Sequence, residues 1–96
     1  MSNAPATDPY RELRAQIDRI DGELLRLLNE RAKAGMAIGQ IKRARNDPIH
    51  VPEREVAVLD RAVRENPGPL SEKAVRTVFE AIVGQTRALE EDHGGN

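Results

Sequence analysis

The chain has no cysteine and no tryptophan, and Tyr10 and Phe79 are its only tyrosine and phenylalanine in 96 residues. Without cysteine, disulfide staples and thiolate nucleophiles or ligands are excluded. The two histidines, His50 and His93, are too few and too far apart in sequence to suggest a metal site. Fifteen basic residues stand against sixteen acidic ones, so there is no broad basic footprint for nucleic acid. No apolar run approaches the length that spans a bilayer, and no signal-peptide pattern appears. A cytoplasmic protein with no membrane partner is the expectation.

What remains is a small domain whose core must come from Leu, Ile, Val and Ala. One short chain buries little of these, which favours self-association. The opening "MSNAPATDP" (1–9) and the closing 92–96 are small, polar and glycine- or proline-containing, and read as flexible tails around a single domain at 10–91. Prolines in "RNDPIHVP" and "ENPGPLS" cut that domain into three parts, and no strand pattern is present. The class is therefore all-α, with one long, one short and one medium helix.

In the first part, from Tyr10 to Arg45, an apolar stripe runs through Leu13, Ile17, Ile20, Leu24, Leu27, Ala34, Ile38 and Ile41 at spacings of three and four, with Arg31 inside it. It predicts one helix of about 35 residues, roughly 50 Å long. The rest of so small a domain cannot cover it, and a partner helix is the natural cover. The second part opens with Pro52 at a first-turn position among acidic residues, with Val56, Leu59 and Val63 as its apolar face. The third starts at Ser71 as N-cap, with Leu70 and Val75 as a hydrophobic staple. Val75, Val78, Phe79, Ile82 and Val83 then face inward, and Thr86, Leu89 and Glu90 continue that face.

Polar residues interrupt these apolar faces. Arg31 sits within the long stripe, and Lys42 follows eleven residues later on nearly the same side. Gly35 and Gly39 lie between them, although a mid-helix glycine costs about 1 kcal/mol against alanine. Thr86 and Glu90 form an i, i+4 pair on the third helix, and Glu55 stands in the first turn of the second. Each has a plain reading: Arg31 paired with Glu55 or Glu90 between helices, the glycines as helix crossings, Arg43 and Arg45 as solvated cations at a helix end. As a set, two inward cations, a hydroxyl and two carboxyls exceed what a small core needs. They suit a small anionic ligand with a hydroxyl to recognise. Arg14 lies seventeen residues before Arg31, about 25 Å along one helix, further than a single-ring metabolite reaches. Either it is a surface arginine with its stem over the stripe, or it serves the site of a second, antiparallel chain.

The segments "LRAQIDRIDGELLRLLNERAKAGMAIGQIK", "PIHVPERE" and "FEAIVGQTRALEE" resemble, in this order and spacing, the all-helical class of chorismate mutase. The similarity runs from about Tyr10 to Glu91. It is greatest to the N-terminal mutase domain of bifunctional chorismate mutase–prephenate dehydratase proteins. No dehydratase domain is present, so the chain is expected to be free-standing or excised from such a fusion, with an aromatic-pathway enzyme as a fused or associated partner.

The resemblance implies an intertwined homodimer in which the long helices pair antiparallel and form two equivalent sites. In each site Arg14 comes from the neighbouring chain, Arg31 holds a substrate carboxylate, and Lys42 meets the ether oxygen. Arg54 and Glu55 come from the second helix, with Glu55 accepting a hydrogen bond from the ring hydroxyl. Thr86 contacts a carboxylate, and Glu90 is a second donor to the ether oxygen. Val51 stands where some relatives have aspartate; there the main chain can serve the hydroxyl. Glu90 stands where others have glutamine, and a carboxyl donates only while it carries its proton. The implied reaction is the unimolecular rearrangement of chorismate to prephenate, in phenylalanine and tyrosine biosynthesis, with no cofactor or metal. Two other readings stay open: an isochorismate pyruvate lyase, whose relatives share the fold and the lysine but tend to lack the carboxylate of Glu55, and a non-catalytic helical dimerisation or regulatory module.

Overall fold

The computed structural model describes residues 8–92. It contains α1 (Pro9–Arg45), α2 (Pro52–Glu65) and α3 (Glu72–Asp92), of 37, 14 and 21 residues. Among the described residues there is no strand, as the all-α reading requires, and no helix is long and apolar enough to cross a membrane. Most of the expected tails, together with His93, lies outside the described residues. Within them α1 begins at Pro9 and α3 ends at Asp92.

Local chemistry fixes the helix ends. The Asp8 carboxylate accepts from the Tyr10 N–H at 3.0 Å and its carbonyl from the Glu12 N–H at 3.1 Å, which satisfies otherwise unpaired donors of the first turn. At the other end of α1, Asn46 takes a positive φ of 59°. Its N–H reaches the Arg43 carbonyl at 3.2 Å, and the Asp47 N–H reaches the Lys42 carbonyl at 2.7 Å. This pair of bonds is the Schellman closure, with asparagine in the left-handed position. Pro52 opens α2 as expected, and the Ser71 hydroxyl accepts from the Ala74 N–H at 3.0 Å as the N-cap of α3.

Internal contacts divide the chain between Glu30 and Arg31. Residues 8–30 hold the first part of α1, on which Leu13, Ile17, Ile20, Leu24 and Leu27 are each at least half exposed. Residues 31–92 hold the remainder of α1 with α2 and α3. Their core is small: among the described residues the buried hydrophobic side chains are Val75 and Val83.

Three apolar assignments need correction. Val56 on α2 and Val78 on α3 were expected to face inward, but both are exposed. On α2 the expected Leu59 and Val63 are half-buried, and Val58 takes the place of Val56 beside Glu55 and Ala62; Glu55 on this line reaches Arg87 on α3 at 2.7 Å. On α3, Val75, Phe79, Ile82, Val83 and Thr86 keep the inward line, and Val78 falls beside it. Leu70, expected to staple onto Val75, is also exposed.

Candidate active site

The glycines of α1 position the site. Gly35 and Gly39 are buried. A Cβ at Gly35 would collide with the Thr86 side chain, and one at Gly39 would lie 3.2 Å from Glu90 Cβ and 3.3 Å from its Cα. Only a bare backbone lets α3 come this close. The crossing and the ligand-site readings of these glycines therefore converge: the crossing itself brings Thr86 and Glu90 against α1 beside Arg31 and Lys42.

A cleft of about 440 Å³ opens there, within the range of small-molecule sites. Seven of the eight residues expected at the site line it: Arg31, Lys42, Val51, Arg54, Glu55, Thr86 and Glu90. Arg14 does not; its guanidinium carbon lies 5.7 Å from the centre of the Tyr10 ring. The cleft's charged lining consists of Arg31, Lys42, Arg54 and Arg87 against Glu55 and Glu90, leaving two positive charges in excess.

Each side chain has a defined hold. Arg31 Nη1 donates to the Thr86 hydroxyl at 2.7 Å, and that hydroxyl donates to the Ile82 carbonyl at 3.0 Å. The threonine proton is thus committed, and the hydroxyl orients the guanidinium. No carboxylate lies within ion-pair distance of Arg31 among the described residues, so it is not the interhelical salt bridge to Glu55 or Glu90 that its sequence position also allowed. Lys42 Nζ donates to the Ile49 carbonyl at 2.9 Å and stands 3.4 Å from Glu90 Oε2. Glu90 is buried. Arg54 is exposed in the first turn of α2. Val51 caps that helix with its carbonyl, which accepts from the N–H groups of Arg54 and Glu55 at 3.1 and 3.2 Å; its side chain offers no polar atom.

Sequence reasoning missed two participants. Arg43 was read as a solvated cation, but it is half-buried and its Nη2 donates to the Glu90 carbonyl at 2.6 Å, tethering the last turn of α3. Arg87 lines the cleft and holds Glu55, with Nη1 at 2.7 and 3.0 Å from its two oxygens. A signal for Arg87 existed: it stands four residues after Val83 and three before Glu90, on the inward line of α3.

Comparison with known proteins gives a consistent result. Residues 13–91 match the family described as chorismate mutase type II. The chain is 45% identical over 87 residues to the bifunctional chorismate mutase/prephenate dehydratase of Aquifex aeolicus (strain VF5), covering 86% of this chain and 24% of that protein. The form II structure of chorismate mutase from Thermus thermophilus superposes with a TM-score of 0.86 at 34% identity, over 88% of this chain and 96% of that one. Chorismate mutase from Helicobacter pylori, solved in complex with prephenate, superposes with a TM-score of 0.80 at 28% identity, over 88% and 91%. The chain spans about a quarter of the length of the bifunctional relatives it matches.

Proposed function

The chain belongs to the chorismate mutase type II family, and on that premise we propose that it converts chorismate to prephenate, a step of phenylalanine and tyrosine biosynthesis. The observation that carries this reading is the convergence of Lys42 and Glu90, 3.4 Å apart, in a net-cationic cleft that Arg31 also lines. The rearrangement breaks the ether C–O bond while a C–C bond forms in the same molecule. It needs no nucleophile and transfers no proton. The protein has two tasks: to hold a flexible dianion in its compact conformer, and to stabilise the negative charge that grows on the ether oxygen.

Arg31 serves the first task. One of its five N–H donors goes to Thr86, and the others are available to a substrate carboxylate. Glu55 accepts from the ring hydroxyl, Arg54 adds positive charge at the mouth, and Val51 contributes only main chain. Lys42 and a protonated Glu90 serve the second task as two donors on the ether oxygen.

The second substrate carboxylate is held by the partner subunit's Arg14, in an intertwined antiparallel homodimer with two equivalent clefts. The support is the apolar stripe of α1: Leu13, Ile17, Ile20, Leu24, Leu27 and Ile41 are each at least half exposed. Exposed apolar side chains at this helical spacing call for a partner, and a second copy of the same stripe is complementary by symmetry.

The deciding experiment adds purified protein to chorismate. Loss of chorismate absorbance with formation of prephenate is the expected result. Unchanged chorismate in the presence of folded protein, or release of pyruvate from isochorismate instead, rejects the reading. Sedimentation should give twice the mass of one chain, and a folded monomer would remove the shared site.

A further inference from the structure

We infer that Arg87 is a positioning residue for hydroxyl recognition: it locks the Glu55 carboxylate in orientation and offsets its charge, so that a doubly anionic ligand can present its hydroxyl there. The inference rests on the chorismate mutase reading for the identity of the ligand. A single nitrogen, Arg87 Nη1, lies 2.7 Å from Glu55 Oε1, 3.0 Å from Oε2 and 3.0 Å from His50 Nε2. Its two hydrogens face both Glu55 oxygens and the His50 ring nitrogen, which itself lies 3.5 Å from Glu55 Oε1. The partners come from three segments, since His50 is in the loop after α1, Glu55 opens α2 and Arg87 belongs to α3.

A plain helix-to-helix tie does not account for this position. Arg76 and Asp60 already join α3 to α2 at 3.2 Å, and neither lines the cleft. Arg87 and Glu55 both do. A free carboxylate facing a dianion would repel it, and a mobile one would cost rotamer entropy on binding. With Arg87 beside it, Glu55 keeps unused lone pairs for a hydroxyl while its charge is compensated. Arg87, so paired, does not compete with Arg31 for the ligand's carboxylates.

The test uses Arg87→Met, Glu55→Gln and the double variant, with circular dichroism as the check on folding. Arg87→Met should lose about 3- to 10-fold in kcat/KM, the worth of one ordinary hydrogen bond. The double variant should be no worse than the poorer single one, within about 2-fold, because both changes disable the same contact. Additive losses, or an unchanged Arg87→Met enzyme, overturn the inference. A second readout is calorimetric binding of a non-reacting ring dicarboxylate that carries the hydroxyl and of its deoxy counterpart. Preference for the hydroxyl should shrink in Arg87→Met; an equal loss for both ligands marks a merely structural bridge and overturns the inference. If Arg87→Met does not fold, Arg87→Lys takes its place in the same cycle, where non-additive losses support the inference and additive losses overturn it. A wild-type protein inert towards chorismate rejects the parent reading instead, and the ligand pair still reports on Arg87.

Discussion

Lys42 Nζ lies between the Ile49 carbonyl, at 2.9 Å, and Glu90 Oε2, at 3.4 Å, and the Glu90 backbone is tied to Arg43 at 2.6 Å. The lysine thus has a second hold that does not depend on the protonation of Glu90. The glutamate has two states with opposite effects on a developing oxyanion. Protonated, it donates; ionised, it engages Lys42 and presents negative charge.

Glu90→Gln keeps a donor at this position, because an amide always carries its hydrogens, and should retain turnover. Glu90→Leu keeps the volume and removes the donor, and should lose about 10²–10³ in kcat. Equal losses in the two variants would remove Glu90 from the ether oxygen.

Lys42→Ala takes away the other donor to the ether oxygen. Removing one preorganised donor to a growing oxyanion typically costs about 10²–10³ in kcat. We expect a loss of that size with the helical signal retained, because the ammonium stands at the cleft and not in the Val75–Val83 core. Near-normal kcat in a folded Lys42→Ala protein would refute the assignment.

The glycines predict a stability order. Alanine gains about 1 kcal/mol of helix propensity over glycine. At Gly22, where a Cβ would meet nothing within 4 Å, that gain should appear as a higher melting temperature. At Gly39 the new methyl would meet Glu90 Cβ and backbone at 3.2–3.3 Å, and overpacking of this kind costs about 1–3 kcal/mol, so the gain is cancelled or reversed. At Gly35 the methyl would displace Thr86, and with it the bond that orients Arg31; Gly35→Ala should raise KM as well. Thermal melts of the three variants check the order, and equal shifts in all three would contradict the crossing geometry.

These cases also show how much could be read from residue order alone. Helix number, both breaks, the Ser71 cap and the pairing of Arg31 with Lys42 on one helix face and of Thr86 with Glu90 on another follow from periodicity and turn chemistry, which are local; that the two faces meet in one site came from the inventory of polar groups and from the resemblance. The errors arose where a tertiary polar bond chose between adjacent positions. Val56 and Val58 both fit an amphipathic α2, and it is the Glu55–Arg87 bond, at 2.7 Å, that accompanies the inward turn of Val58. Arg43 satisfies the helix dipole equally well whether solvated or buried against α3, so position alone did not reveal its bond to the Glu90 carbonyl.

The shared-site proposal makes the most demanding prediction. Arg14→Ala and Arg31→Ala should each be inactive as homodimers, since every cleft then lacks one guanidinium. In a mixed dimer, the cleft formed by the chain that keeps Arg31 receives an intact Arg14 from its neighbour, while the other cleft lacks both. Random re-association of equal amounts makes half the dimers mixed, with one of two clefts intact, so about a quarter of wild-type activity should return. Arg14 is exposed on α1 and absent from its own chain's cleft lining, so the Arg14→Ala chain should keep its helical signal. Mixed dimers demonstrated by mass spectrometry yet still inactive would mean that Arg14 and Arg31 do not meet in one cleft, and the second carboxylate would need another holder.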